Sequence, residues 1–210
     1  MAFSPVIDEE NTNPFPIKLT VVEETPEVSS WDEAARNAVI EILVTTGDAI
    51  WKDKVENHHL AWVWGFGGMR NAREYLDFMI KKAVPIDGEF IILPTKAEMI
   101  MYWSIFGAIC YETGYAEKVW PETREETIDK ISDILVRKQR DYGHDNIARF
   151  GTVGILIRLH DKVARLENLL DKDAGPENES VVDNFIDLLG YASIGIMWAR
   201  ENYMKEVSQP

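Results

Sequence analysis

Hydrophobic residues recur at spacings of three and four along most of the chain after residue 30, whereas alternation with a period of two is scarce. The first pattern is typical of helices that bury one face. It predicts helices near 31–57, 69–83, 95–118, 123–140, 152–171 and 179–204. The best strand candidate is GEFIIL at residues 88–93, and a short strand is also considered at IKLTVV. We therefore expect an all-α protein.

Four helix starts carry the capping-box pattern, in which a hydroxyl and an acid three residues later satisfy each other's free backbone N–H groups. The paired residues are Ser30 and Glu33, Thr95 and Glu98, Thr123 and Glu126, and Ser180 and Asp183. Breaks are predicted at GFGG (65–68), VPIDG (84–88), Trp120-Pro121, DYGHDN (141–146) and DKDAGPEN (171–178). These signals support the helical assignment independently of the hydrophobic spacing.

Three regions follow from this map. Residues 1–29 are rich in proline and acids and have few periodic apolar positions, so we expect an extended N-terminal arm. Residues 30–120 form a helical, aromatic-rich N-terminal region, and residues 121–210 form a helical region that carries the candidate chemistry. The aromatic cluster of the second region is expected in the core or at a subunit interface.

The net charge of −14 excludes a general nucleic-acid binder, because such a surface repels phosphate backbones. A small anionic ligand would need clustered cations or a metal ion. The N-terminus lacks the pattern of a signal peptide, and the apolar run Met99–Tyr111 is shorter than the roughly 20 residues of a membrane span. The expectation is a cytoplasmic protein with no membrane contact. The single cysteine, Cys110, is expected to be a buried thiol.

The last predicted helix carries Glu179, Asp183 and Asp187 four residues apart, along one side. Like charges at this spacing repel one another, so something should compensate. The helix dipole and a capping box explain the first two acids, but Asp187 lies too deep for either. A solvated acidic face remains one alternative. The other is a site for a divalent cation, where carboxylate oxygens suit Mg²⁺ shared with a phosphate.

The preceding helix carries Arg158, Lys162 and Arg165 on one flank, with Asp161 beside them. These cations either hold a polyphosphate or pair with the acids of the next helix, and Asp161 would assist the metal. Upstream, Lys138, Asp141, Tyr142 and Gly143 end a helix, and Gly143 suits a left-handed C-terminal position. Tyr142 would stack on a base and Asn146 would read its edge, although both also suit packing or a turn.

Four motifs follow one another over about residues 130 to 195: K-x-x-DYG, RFG-x-x-G, R-x-x-DK-x-x-RL-x-NL and ES-x-x-D-x-x-x-DL-x-x-YA. This series resembles the "nucleotide modification associated domain" family common in bacteriophages. More remotely, it is similar to the all-α nucleoside triphosphate pyrophosphohydrolases of the MazG and dimeric dUTPase type. The resemblance implies a MazG-like helical bundle, a homo-oligomer, that handles nucleotides with Mg²⁺ in the host cytoplasm.

The resemblance also implies roles for individual residues. Asp161, Asp183 and Asp187 would be catalytic, and Glu179, Asp183 and Asp187 would hold the metal. Lys138, Asp141, Tyr142, Lys162 and Arg165 would bind the substrate, and Asn146 and Arg158 join them as candidates from their own positions in the loop and on the cationic flank. The first hypothesis is Mg²⁺-dependent hydrolysis of a nucleoside triphosphate, preferably a deoxynucleotide, to monophosphate and pyrophosphate, which would shape a phage nucleotide pool. The alternatives are a non-catalytic nucleotide-binding or protein-interaction module and a purely structural helical protein.

Overall fold

The computed structural model describes residues 27–48, 68–83, 94–117, 119–120, 122–170 and 179–209, and these contain helices and no strand. The α-helices are α1 (Trp31–Ile40), α2 (Gly68–Ala83), α3 (Lys96–Ala116), α4 (Arg124–Tyr142), α5 (Asp145–Ala148), α6 (Gly151–Leu170) and α7 (Val181–Ala199). A π-helical segment, Glu41–Thr46, continues α1. The expected all-α class is confirmed, and both strand candidates lie outside the described residues.

The capping boxes predicted at Thr95, Thr123 and Ser180 are present in full. The capping box predicted at the start of α1 is only half formed. Ser30 accepts a hydrogen bond from the Glu33 backbone N–H, but the Glu33 carboxylate accepts from the backbone and hydroxyl of Ser29 instead. Because these two bonds favour the charged form, the pKa of Glu33 is lowered.

Helices α3 and α7 form the centre of the bundle and pack closely against each other. Most residues of both helices are buried, which explains why neither shows a simple polar face. A Cβ added to Gly195 of α7 would lie 2.4 Å from the Trp103 ring of α3, so this glycine permits the close approach. Trp103 is therefore a core residue, while Trp51, Trp62, Trp64 and Phe66 lie outside the described residues.

The other helices surround this centre. Helix α1 packs against α4 and α7, α2 packs against α3 and α6, and α6 packs against α7. One continuous hydrophobic core contains residues from both sides of residue 120. Cys110 lies in that core, and burial raises the pKa of its thiol. By length and mean hydropathy α7 could cross a membrane, but 67% of its most apolar window is buried, which is equally typical of a core helix.

The C-terminal tail folds back onto the start of α1. The Trp31 N–H donates to the Glu206 carbonyl at 2.9 Å, and Lys205 Nζ donates to the Val28 carbonyl at 2.8 Å. Arg140 of α4 donates to the Ser208 carbonyl through Nε and Nη2, at 3.1 and 2.8 Å. These contacts bring Tyr203 and Trp31 together edge to face, beside α4.

Two boundaries differ from the sequence prediction. The last helix ends at Ala199 rather than near residue 204, and the tail turns from there. The predicted break at residues 141–146 is reduced to Gly143 and His144, because α4 extends to Tyr142 and the short helix α5 begins at Asp145. The first helix was expected to reach residue 57, but the description of that segment stops at residue 48.

Candidate functional site

A cavity of about 390 Å³ lies between α4, α6 and α7 and is closed at one side by Trp31 and Tyr203. Helix α4 contributes Ile131, Leu135, Lys138 and Tyr142 from successive turns, so one face of this helix forms a wall. The charged residues of the lining are Lys138, Arg158, Lys162, Glu179 and Asp187. Three cationic side chains thus meet two anionic ones, in a chain whose net charge is −14.

An ion-pair network crosses the mouth of this cavity. Asp187 of α7 accepts from Lys138 Nζ at 2.5 Å and from Lys162 Nζ at 2.7 Å. Glu179, which precedes α7, accepts from the same Lys162 Nζ at 3.0 Å and from Arg165 Nη1 at 2.8 Å. Each carboxylate is therefore shared by two cations, and Lys162 joins the two carboxylates.

Lys162 is held as a cation by this arrangement. Burial by itself would lower the pKa of its ammonium, but the hydrogen bonds and negative charges of Asp187 and Glu179 outweigh burial, so the pKa is raised. The ammonium therefore remains charged at neutral pH and is available to an anionic ligand.

Arg158 of α6 is arranged differently from the lysines. Its Nη2 donates to Asn146 Oδ1 at 2.7 Å, and its guanidinium lies 5.8 Å from the centre of the Tyr191 ring. Among the described residues, its hydrogen-bond partner is thus a neutral amide rather than a carboxylate. A planar guanidinium held in this way can offer its remaining N–H groups to a phosphate.

Tyr142 lies at the rim of the cavity with 64% of its surface exposed. The next residue, Gly143, has φ 68° and ψ −179°, a conformation that is essentially restricted to glycine. The backbone turns there, and Asn146 of α5 borders the same cavity. The predicted role of Gly143 as a helix stop is confirmed by this geometry.

Asp183 does not line the cavity. It is exposed, and its carboxylate accepts from the Ser180 hydroxyl at 2.7 Å and the Ser180 backbone at 3.2 Å. The capping-box explanation of this residue is the one that the structure supports. Asp161 and Asp141 are also exposed and outside the lining, whereas Arg165 reaches the site only through Glu179.

The predicted metal ligands fit Mg²⁺ only in part. No group of three or more His, Cys, Asp or Glu side chains in the described ranges is placed to hold a metal ion. Glu179 and Asp187 nevertheless bind one common cation, the Lys162 ammonium. Since Mg²⁺ is commonly bound by one or two carboxylates together with waters and substrate phosphates, this pair has suitable chemistry. The ion would have to take the place of the ammonium.

Several cavity residues were not predicted from the sequence, and the most important of them are Gln139, Trp31 and Tyr203. Gln139 had a usable signal, because it lies in the apolar stripe of α4 at a position where a polar side chain is unexpected. No local sequence signal pointed to Trp31 or Tyr203, because the tail brings them together from opposite ends of the described chain.

Comparisons with known proteins found no match. No protein-family model matches this chain, and neither a curated protein nor a solved structure matches it.

Proposed function

We propose that this chain binds a nucleoside triphosphate in the cavity between α4, α6 and α7 and hydrolyses it to the monophosphate and pyrophosphate. The observation that carries the proposal is the excess of cationic over anionic side chains lining a cavity of an otherwise acidic protein. Its volume of about 390 Å³ lies within the roughly 300–1,000 Å³ of small-molecule sites. The resemblance of residues 130 to 195 to phage nucleotide-handling proteins points the same way.

The chain's own groups would share the work as follows. Lys138, Lys162 and Arg158 would contact phosphate oxygens and stabilise the charge that develops as the bond between the α- and β-phosphates breaks. Asn146 would orient Arg158 through the hydrogen bond between them. Tyr142, exposed at the rim, would offer an aromatic face to the nucleotide.

Asp187 and Glu179 would hold Mg²⁺. When bound, this ion supplies charge neutralisation to the phosphates and lowers the pKa of a bound water. The metal-binding and catalytic roles expected for Asp183 and the catalytic role expected for Asp161 are not part of this proposal, because both residues are exposed and lie outside the cavity lining.

A second function is favoured by the network itself. Both carboxylates are already neutralised by lysine or arginine, and this arrangement suits an anion-binding site that needs no metal. The alternative is therefore a non-catalytic nucleotide-binding accessory module with the same cations.

The deciding experiment is incubation with the common ribo- and deoxynucleoside triphosphates and Mg²⁺, followed by measurement of pyrophosphate. Turnover that requires Mg²⁺ and is lost in Asp187→Asn supports the hydrolase. The matched control is Asp133→Asn, an exposed acid of α4 outside the cavity, which should retain full turnover. Calorimetric binding without pyrophosphate release, unaffected by chelator, supports the accessory module instead. Absence of both binding and turnover would refute both functions.

We also propose that the chain is a homo-oligomer. Phe150, Val153 and Ile157, at the start of α6, are exposed at helical spacing and form an apolar stripe. Light scattering of the wild type and of Ile157→Glu tests this, because the charge should dissociate an oligomer that buries the stripe. A wild-type mass equal to the 24.0 kDa of one chain would refute it.

A further inference from the structure

Two N–H donors beside the cavity have no hydrogen-bond partner within the part of the chain that the structure describes. Gln139 is only 6% exposed, and its Oε1 accepts from the Tyr203 hydroxyl at 3.1 Å while its Nε2 has no hydrogen-bond partner among the described residues. Trp31 is fully buried, and its Nε1 is likewise unpaired in the described part of the chain. Both side chains line the cavity that contains the cations.

Unpaired donors at such a depth are unusual. Buried polar groups in folded proteins nearly always have a partner, and each exception calls for an explanation such as a ligand or an ordered water. Several other buried polar atoms are unpaired in the described residues, but only those of Gln139 and Trp31 belong to the lining of this cavity. A ligand with acceptor atoms would satisfy both.

This lining would orient a nucleotide bound in the cavity. Lys138 and Gln139 are neighbours in α4, and both border the cavity. If the phosphates contact Lys138, Lys162 and Arg158, the base lies toward the unpaired donors, between the apolar side chains of Ile131, Leu135 and Ile194. Carbonyl oxygens of a base are the acceptors that such donors require, whereas exocyclic amino groups are donors themselves.

Tyr203 sets the orientation of the Gln139 amide. Burial raises the pKa of Tyr203 to about 12, so its hydroxyl is protonated at neutral pH and donates to Oε1. With Oε1 engaged in this way, Nε2 is the end of the amide left for a ligand.

We propose that Gln139 and Trp31 make the site selective for bases that carry a carbonyl oxygen at purine carbon 6 or pyrimidine carbon 4, namely guanine, thymine and uracil, over adenine and cytosine, which carry an amino group there. This inference rests on the proposed nucleotide site. An amino group facing these donors would leave all of them unpaired, and polar sites of this kind reject an unmatched analogue strongly.

The sharpest test uses the wild-type protein without Mg²⁺ and compares dITP with dATP by calorimetry, because their bases differ only at carbon 6, an oxygen or an amino group, and in the proton on the adjacent N1. We expect dITP to bind about tenfold more tightly, or better. In the wider panel, dGTP, dTTP and dUTP should bind more tightly than dCTP. Equal or tighter binding of dATP would overturn the inference.

Variants assign the preference to the two residues. Gln139→Leu and Trp31→Phe should each lower the dITP preference to about threefold or less, while inorganic tripolyphosphate binds as in the wild type. Tyr203→Phe removes the hydroxyl that fixes the Gln139 amide but leaves the Nε2 donor, so it should weaken the dITP preference less than Gln139→Leu does. An unchanged preference in both Gln139→Leu and Trp31→Phe would refute the assignment.

The failures can be told apart. Binding of tripolyphosphate together with equal binding of all bases would refute base selection and leave the proposed nucleotide site standing. Binding of neither tripolyphosphate nor any nucleotide would refute the proposed site, and the selectivity with it.

Discussion

The Lys162 ammonium lies 2.7 Å from one oxygen of Asp187, and Lys138 lies 2.5 Å from the other. One carboxylate, with only 14% of its side chain exposed, therefore holds two cations at the mouth of a cavity. Lys162 is shared in turn with Glu179 at 3.0 Å. Because these groups come from α4, α6 and α7, this network couples the stability of the bundle to the electrostatics of the proposed site.

Asp187→Asn should destabilise the protein by about 1–3 kcal/mol, because the neutral amide removes the counter-charge of Lys138 and one of the two counter-charges of the partly buried Lys162. Chemical denaturation followed by circular dichroism measures this. Asp133→Asn, the exposed control on α4, should change the free energy of unfolding by less than about 0.5 kcal/mol. Equal effects of the two variants would show that the pairing at Asp187 contributes nothing to stability.

The contribution of Lys162 should depend on pH only in the alkaline range. Its pKa in the folded protein is raised from the ordinary value of 10.5, so the stabilisation is fully present below that value and is lost as the pH rises through the folded-state pKa. The difference in free energy of unfolding between wild type and Lys162→Met should therefore be constant from about pH 7 to 10 and shrink above. A difference that already shrinks between pH 7 and 9 would contradict the raised pKa.

Local patterns predicted much of the fold. The starts of α3, α4 and α7 follow from the hydroxyl and acid at Thr95, Thr123 and Ser180, because a capping box involves only residues three apart. Helical spacing also offered the pairing of Lys162 with Asp187 as one of two alternatives for the cations of α6, and the structure contains this pair.

The remainder of the site depends on contacts that no local pattern encodes. Asp183 shares its side of α7 with Asp187, but it is at the third position of the helix, where its carboxylate closes the cap. Tyr203 reaches the cavity because the tail hydrogen-bonds to α1 and α4 from the far end of the chain. Such long-range placement requires the tertiary structure.

Ser180→Ala tests whether the cap of α7 positions Glu179. Loss of the hydroxyl should cost about 1 kcal/mol of stability, and it should also weaken tripolyphosphate binding in the presence of Mg²⁺, because Glu179, which would hold the ion, immediately precedes the cap. Thr123→Ala removes the same kind of cap from α4 and should cost a similar amount without affecting binding. Denaturation and calorimetry on both variants distinguish a general loss of stability from a local effect on the site.

Gly143→Ala should destabilise the protein by about 1–3 kcal/mol through backbone strain alone. A Cβ at this position would meet nothing within 4 Å, but φ 68° with ψ −179° is unfavourable for any residue with a side chain. Because the strain is relieved by moving the turn that carries Tyr142 and Asn146, nucleotide affinity should fall as well. The matched control is Gly47→Ala, where the backbone is helical and the nearest atom is 3.5 Å from the added Cβ, so its stability should be unchanged or slightly increased. If Gly143→Ala were as stable as Gly47→Ala and bound nucleotide normally, the turn would not need glycine and would not position the rim of the site.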